Sequence, residues 1–211
     1  MNDASAKFVA SMWDDALLTD LRLIEILNKY GLTACFAISP GRHQNHKILN
    51  DPRGNYGELV TLTELKEFKN FEICNHTFSH VNLVKESREN VLKEIIDGQV
   101  MLEDIFERKI TGFCYPYGEF NDMTIKCLRE LEYHYARTTK FEQSSNLALA
   151  VTCRWNDPNL FTYLKQNKKT IFWGHSYEFK NEADWERIDN IYKYISESGS
   201  KVIKFEEIIN V

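Results

Sequence analysis

The sequence has no apolar run that approaches the ~18 residues a membrane-spanning helix needs. Its first residues, MNDASAKFVASMWDD, lack the basic start and the apolar stretch of a secretion signal. These absences predict a cytoplasmic protein without a membrane span, although a chain shortened at its N-terminus would show the same pattern.

Clustered positive charge is also missing. The formal net charge is -5, and the chain has neither a basic stripe nor a basic tail. Because nucleic acids and anionic membranes are bound chiefly through Lys and Arg, the sequence predicts no nucleic-acid partner.

Paired cysteines are absent as well. The 5 cysteines are odd in number, widely spaced, and form no CxxC motif: Cys35, Cys74, Cys114, Cys127 and Cys153. Most of them lie in apolar runs, a pattern typical of buried free thiols rather than of disulfides or a thiolate metal site.

What the sequence does contain is an alternation of short apolar strands with amphipathic helices. The predicted strands are Lys7–Trp13, Thr33–Ile38, Phe71–Cys74, and the runs ITGFCYP, YHYAR, AVTCRW, TIFWGH and KVIKF. Helices are predicted from Leu17 to Gly31, from Thr61, and over Ser87–Glu107, Asp122–Glu132 and Asp184–Ser198, with a long loop over Ser39–Gly57. The absence of any repeat or linker favours one α/β domain over residues 1–211, with a parallel sheet or barrel inside a layer of helices.

Four polar clusters fall at the carboxyl ends of predicted strands, where parallel folds collect their chemistry. They are Asp14-Asp15, His76 with His80, the Tyr117-Gly118 turn, and His175. Each cluster alone has a plainer interpretation: a helix N-cap for the acids, surface positions for the paired histidines, and a hydrogen-bonded ring for His175. Their placement on one rim favours a shared site.

The spacing of the two histidines in NHTFSH indicates a metal site. One helical turn would place His76 and His80 on the same face, with Cβ atoms ~6 Å apart. Both imidazoles would then reach one zinc-sized ion, and one of the Asp14-Asp15 carboxylates would complete the ligand set. The other acid would lie near the open position, an arrangement typical of hydrolytic rather than structural sites.

The motifs MWDDA, NHTFSH, YPYG and WGHS, in this order, resemble those of the polysaccharide deacetylases, the NodB-homology domain of carbohydrate esterase family four. The resemblance extends from Lys7 to about Phe205. It implies a distorted (β/α)7-type barrel and the metal-dependent removal of an N-acetyl group from a sugar or polysaccharide.

The resemblance also implies roles for the residues that act on the substrate. Asp14 matches the general base and His175 the general acid toward the leaving amine. Tyr117 matches the position whose backbone N–H contacts the oxyanion. Pro116, Tyr117 and Trp173 are predicted to contact the substrate.

The predicted metal ligands are Asp15, His76 and His80. Thr77 matches a residue that supports their loop by hydrogen bonding. Two histidines and one carboxylate suit zinc, with cobalt or nickel as alternatives.

Several positions depart from the family's commoner pattern. Cys114 stands where an arginine usually steadies the catalytic base, and a thiol cannot replace a guanidinium. We therefore expect Arg154 to reach Asp14 from another strand, with a structural ion pair as the alternative. Ala16 replaces the usual glycine, which predicts that the backbone there does not need a positive φ.

The acidic motif that usually precedes the last histidine is not evident, so the sequence leaves the partner of His175 open. Asp157 lies nearby but fits an N-cap equally well. Glu178 is expected to face solvent.

Two alternatives to an N-deacetylase remain. Relatives with the same barrel hydrolyse small non-sugar amides or imides. A non-catalytic carbohydrate-binding pseudoenzyme is the other, suggested by Cys114 and the missing acidic motif.

Overall fold

A computed structural model describes residues 6–44, 48–50, 56–142 and 145–211. Its strands are β1 (Phe8–Asp14), β2 (Cys35–Ile38), β3 (Ile48–Asn50), β4 (Tyr56–Glu58), β5 (Glu72–Asn75), β6 (Gly112–Cys114), β7 (Tyr135–Arg137), β8 (Cys153–Arg154), β9 (Lys169–Gly174) and β10 (Lys201–Val202). Its α-helices are α1 (Asp20–Tyr30), α2 (Arg88–Phe106), α3 (Asp122–Glu130), α4 (Leu160–Gln166), α5 (Glu182–Glu197) and α6 (Phe205–Ile208).

Eight strands form one sheet in the order β7-β6-β5-β2-β1-β9-β8, with β10 paired to β1. Every strand pair in this sheet is parallel, and β3 and β4 form a separate antiparallel pair. The sheet curls into an incomplete barrel with the helices outside. The predicted α/β fold class is therefore confirmed.

The sheet is buried on both faces. Small and flexible side chains line its concave side, among them Ala10, Met12, Cys35, Ala37 and Cys74. Such residues fit the narrow interior of a curled sheet. All five cysteines are buried free thiols, as predicted.

The convex side of the sheet packs against helices through larger apolar groups. Phe36, Phe172 and Trp13 belong to one large cluster with Leu27 of α1 and Ile191 of α5. In the described ranges, no helix combines the length and the apolar character needed to cross a bilayer.

Helix ends follow the sequence signals closely. The hydroxyl of Ser87 accepts a hydrogen bond from the Asn90 N–H and begins α2. Gly31 ends α1 with a left-handed φ of 62°. Ile96 was predicted to lie on the inner face of α2 with Leu92 and Ile95. That prediction is wrong, because its side chain is 40% exposed.

The predicted Ser39–Gly57 loop contains regular structure, namely the 3₁₀ helix Pro40–Gln44 and the β3–β4 pair. Residues 45–47 and 51–55 lie outside the described part of the chain. The capping contact between Thr61 and Glu64 forms, with the Glu64 N–H 3.2 Å from the Thr61 hydroxyl. It begins only a five-residue 3₁₀ helix, Glu64–Phe68, because β5 follows closely.

The carboxyl ends of the parallel strands meet at one rim of the sheet. The side chains brought to this rim are Asp14 from β1, Cys114 from β6, Arg137 from β7, and the residues that directly follow β2, β5 and β9. The sequence singles out the ends of β1, β5, β6 and β9, but neither Arg137 nor the residues that follow β2.

Candidate active site

The two adjacent acids occupy a strained turn at the end of β1. Asp15 has a φ of 83° and Ala16 a φ of 51°, and the Asp15 N–H donates to the carbonyl of Ala37 at 2.9 Å. The prediction that Ala16 avoids a positive φ is wrong. The turn breaks the alternation of the strand, so that Asp14 and Asp15 both reach His175, whose Nε2 lies 3.9 Å from a carboxylate oxygen of each.

The two histidines also converge, but not through the predicted helical turn. Residues 76–80 form a loop in which Thr77 and His80 both have a φ of 63°. The Thr77 hydroxyl accepts a hydrogen bond from the His80 N–H at 2.9 Å, the supporting contact expected of Thr77. The rings of His76 and His80 lie 4.6 Å apart between centroids.

Asp15, His76 and His80 form a group that could hold a metal ion. One ligand atom from each lies within 4.8 Å of the others, and Asp15 Oδ1 is 3.7 Å from His80 Nε2. His76 Nδ1 lies 2.7 Å from the carbonyl of Cys114. A carbonyl only accepts, so Nδ1 carries the proton and Nε2 keeps its lone pair for a metal.

Protonation of the three groups suits the same role. Burial lowers the pKa of His76 to about 3 and also lowers the pKa of His80. Burial alone would raise the pKa of Asp15, but His80, His175 and Arg42 outweigh it and hold that pKa well below its usual range. At neutral pH the group consists of two neutral imidazoles and one carboxylate, the donor set that zinc prefers.

The arginine that contacts Asp14 is Arg137, not Arg154. Arg137 Nη2 lies 2.5 Å from Asp14 Oδ1 and 2.7 Å from Cys114 Sγ, and its side chain is 1% exposed. Cys114 and Arg137 are direct partners in the β6–β7 register. The guanidinium next to Asp14 thus comes from the strand beside Cys114, and the sequence offered no signal for it beyond the arginine at the end of YHYAR.

Arg154 forms an ion pair with Glu178 instead. The expectation that Glu178 faces solvent is also wrong, because its carboxylate lies 3.0 Å from His175 Nδ1 and accepts from Trp155 Nε1 at 2.7 Å. Asp157 accepts a hydrogen bond from the Asn159 N–H at 2.7 Å, but the N-cap of α4 is Asn159 itself, so the interpretation of Asp157 as an N-cap is wrong. Glu178 is therefore the partner of His175.

His175 lies between the two adjacent acids and Glu178. Burial lowers the pKa of His175, but the hydrogen bond that it donates to Glu178 and the charges of Asp14 and Asp15 outweigh it, so the pKa is raised. A raised pKa favours a protonated imidazole, the form that a general acid needs.

The predicted substrate contacts are only partly accessible. Tyr117, with a φ of 61°, is 59% exposed, and its ring lies 4.9 Å from that of His80. Pro116 is buried, and Trp173 is 8% exposed beneath the guanidinium groups of Arg137 and Arg154. Exposed surface for a substrate is thus offered by Tyr117 and not by Pro116 or Trp173, which corrects the predicted contacts.

Sequence reasoning missed a further residue, Arg42. Its Nη1 lies 2.9 Å from Asp15 Oδ1, and it belongs to the 3₁₀ helix that follows β2. No motif marked it, because the contact depends on how residues 40–44 fold back onto the rim.

A second group of possible ligands comprises Asp14, His76 and Cys114. Arg137 donates to both Asp14 and Cys114, so its positive charge disfavours a cation there. The Asp15 group fits a metal better.

Known proteins resemble this chain in sequence and in fold. The family profile described as polysaccharide deacetylase matches residues 1–136. The Bacillus subtilis protein YxkH, whose name assigns it to the polysaccharide deacetylases, is 24% identical over 139 residues, which make up 64% of this chain and 46% of that protein. The chain therefore matches less than half the length of this curated relative.

Solved structures share the fold. A family 4 carbohydrate esterase from Bacillus anthracis has a TM-score of 0.72 at 14% identity, over 99% of this chain and 84% of that chain. A family 4 pseudoenzyme from the same organism has a TM-score of 0.68 at 18% identity, over 97% of this chain and 66% of that chain.

Proposed function

This chain belongs to the polysaccharide deacetylase family, and from that premise we propose that it is a metal-dependent hydrolase. It removes an N-acetyl group from an N-acetylated sugar or polysaccharide and releases a free amine and acetate. One observation carries the proposal: Asp15, His76 and His80 lie within 4.8 Å of one another, with Asp14 and His175 beside them.

The metal would be held by Asp15, His76 and His80. When bound, a divalent ion supplies Lewis-acid polarisation of the acyl oxygen and increases the acidity of water. Zinc fits two imidazoles and one carboxylate best, and cobalt or nickel are alternatives.

Asp14 acts as the general base. Arg137 holds its carboxylate in one orientation through a charge-assisted hydrogen bond of 2.5 Å. Asp14 takes the proton of the water that attacks the acyl carbon. As negative charge develops on the acyl oxygen, the Tyr117 N–H donates to it, a contribution typically of ~3 kcal/mol.

His175 acts as the general acid. Its Nδ1 is held at 3.0 Å from Glu178, so its Nε2 faces Asp14 and Asp15. Nε2 donates its proton to the departing nitrogen, which leaves as an amine. Glu178 orients the ring and stabilises its charged form.

A non-catalytic carbohydrate-binding protein is the second candidate, favoured by the likeness to the Bacillus anthracis pseudoenzyme. The presence of the base, the ligand set and His175 in one site argues against it. A small-amide or imide hydrolase is the third candidate, and it is distinguished from an N-deacetylase by the substrates that the protein hydrolyses.

The test is acetate release from chito-oligosaccharides with added zinc or cobalt. Wild-type protein and Asp97→Asn, a change on the exposed surface of α2, should release acetate. Asp14→Asn should lower kcat by at least about a hundredfold, a general-base effect. Metal analysis should find the ion lost from His76→Ala, and an unchanged metal content would refute the ligand assignment.

The same assay separates the three candidates. Release from a small amide or imide but from no acetylated sugar would support the amide hydrolase. Sugar binding without release from any substrate would support the pseudoenzyme.

A further inference from the structure

Arg42 brings to the site a positive charge that none of the roles above uses. Its side chain is 19% exposed, whereas that of its partner Asp15 is only 7% exposed. Part of the Arg42 side chain is thus exposed at a position that directly contacts a candidate metal ligand.

The backbone around Arg42 is fixed on both sides. The Gly41 N–H donates to the carbonyl of Phe78 at 2.9 Å, and a Cβ at position 41 would lie 2.5 Å from the Phe78 ring. On the other side His43 is buried, with Nδ1 2.7 Å from the carbonyl of Val60. Arg42 is therefore held against the histidine loop, and little of its freedom remains to be lost when it binds a ligand.

The three carboxylates that contact His175 are each paired with an arginine before any cation is added. In the described part of the chain these pairs are Asp14–Arg137, Asp15–Arg42 and Glu178–Arg154. The double charge of a divalent ion would then have no further site carboxylate to balance it. Electrostatic complementarity favours a ligand that supplies negative charge.

Arg42 is the arginine best placed to bind such a charge. Arg137 is buried with Asp14, and Arg154 is committed to Glu178, which orients His175. Asp15, by contrast, would share its charge with the metal, which leaves the Arg42 guanidinium available to an anion.

We propose that Arg42 is a specificity-determining residue that binds the negative charge of an anionic N-acetylated sugar beside the reacting acetamido group. The proposal rests on the proposed function, because it assumes a metal at Asp15, His76 and His80. A guanidinium pairs with carboxylates and phosphates alike, so either may supply the charge.

Kinetics on matched substrates tests the proposal. N-acetylmuramic acid supplies a carboxylate, N-acetylglucosamine 6-phosphate supplies a phosphate, and N-acetylglucosamine is the neutral reference. We expect zinc-loaded wild-type protein to prefer at least one anionic substrate by about tenfold or more in kcat/KM, the range of a charge-assisted contact. The anionic substrate with the larger kcat/KM relative to N-acetylglucosamine shows whether Arg42 prefers a carboxylate or a phosphate.

The Arg42→Gln variant should reduce the ratio of kcat/KM for the anionic substrate to that for the neutral one to less than about twofold. Arg88→Gln, which removes an exposed arginine paired with Glu130 on the far helices, should keep it. Partial loss of metal lowers kcat/KM for both substrates by the same factor, so the ratio of the two values from one preparation does not change. Equal kcat/KM for neutral and anionic substrates in wild type, or a preference that survives Arg42→Gln, overturns the proposal while the deacetylase assignment stands.

Binding gives a readout that does not depend on turnover. Calorimetric titration with muramic acid, glucosamine 6-phosphate and glucosamine compares sugars that cannot be deacetylated, that all carry the same free amine, and that differ by the same anionic groups. Tighter binding of an anionic sugar by wild type than by Arg42→Gln supports the role of Arg42 even if no acetate is released from any substrate. Equal affinities in the two proteins refute it.

Discussion

Single residues in the site combine strained backbone with buried charge. Five residues other than glycine have a positive φ there: Asp15, Ala16, Thr77, His80 and Tyr117. Each such conformation costs ~1–3 kcal/mol and persists only where surrounding contacts enforce it. Three of the five are candidate metal ligands or the threonine that supports them, namely Asp15, His80 and Thr77. The strain therefore lies where the backbone must turn so that the ligand side chains converge.

Replacing Ala16 with glycine tests this strain. The change relieves a left-handed penalty of ~1–2 kcal/mol, which offsets the usual entropic cost of glycine, ~0.5–1 kcal/mol. Ala10 is the matched control, because it is equally buried but lies on β1 without a positive φ. Ala10→Gly therefore adds the entropic cost of glycine and relieves no strain. Urea unfolding should show Ala16→Gly to be more stable than Ala10→Gly by ~1–2 kcal/mol. Equal losses in the two variants would show that residue 16 is not strained.

The buried pair between Asp14 and Arg137 makes a second prediction at this scale. Arg137→Met leaves the Asp14 carboxylate buried without its partner and should cost ~3–5 kcal/mol of unfolding free energy. Arg154→Met removes an arginine that is 41% exposed and should cost much less. The double variant Asp14→Asn/Arg137→Met should recover part of the loss, because no unpaired charge remains. A larger loss in Arg154→Met than in Arg137→Met would contradict this account.

At the scale of elements, the helices and strands were largely predictable because their signals are local. Apolar periodicity marks α2, Ser87 marks its start, and Gly31 marks the end of α1. Contacts between elements carry no such local signal. Arg137 reaches Asp14 because β6 and β7 are neighbours, a fact that the sequence of either strand does not contain.

The same reasoning explains the other errors. Glu178 follows His175 by three residues, yet whether it faces solvent or the ring depends on a 3₁₀ turn over Ser176–Glu178. Arg42 contacts Asp15 only because residues 40–44 pack on the histidine loop. The fold class and the proximity of Asp15, His76 and His80 were predictable from strand ends, whereas the arginine partners required the packed sheet.

The first turn of α1 contains a buried acid that links its ionisation to folding. Asp20 is 0% exposed and accepts a hydrogen bond from the Leu17 N–H at 2.8 Å. Burial raises its pKa from 3.8 to about 7, and the hydrogen bonds from Ser176 and Leu17 offset this only in part. Between about pH 4 and about pH 7 the folded state therefore keeps a proton that the unfolded chain releases.

The contribution of Asp20 to stability should consequently fall as pH rises through this window, because at this group the folded state binds more protons than the unfolded state. Asp20→Asn cannot ionise, so its unfolding free energy should gain on that of the wild type by up to ~1.4 kcal/mol per pH unit as pH rises. Asp122→Asn, at the exposed first residue of α3, should leave it unchanged. Unfolding free energies of the three proteins across the window provide the measurement. Parallel curves for wild type and Asp20→Asn would refute the raised pKa.

For the whole molecule, the candidate metal ligands connect distant parts of the chain. Asp15 follows β1, whereas His76 and His80 follow β5, and β2 lies between these strands in the sheet. An ion bound by all three would join elements that the unfolded chain holds apart. Binding should therefore stabilise the native state in preference to the unfolded one.

Zinc should raise the unfolding free energy according to its affinity, by ~2.7 kcal/mol when free zinc is a hundredfold above Kd. His76→Ala and His80→Ala should lose this increment, because each removes one of only three protein ligands. His134→Ala is the control, since His134 is 51% exposed and pairs with Glu206 away from the rim. Thermal unfolding with zinc, and again after chelation, measures the increment in each protein. If the increment persists in both His76→Ala and His80→Ala, zinc binds elsewhere, and the catalytic arrangement built on this triad is wrong even where the fold is right.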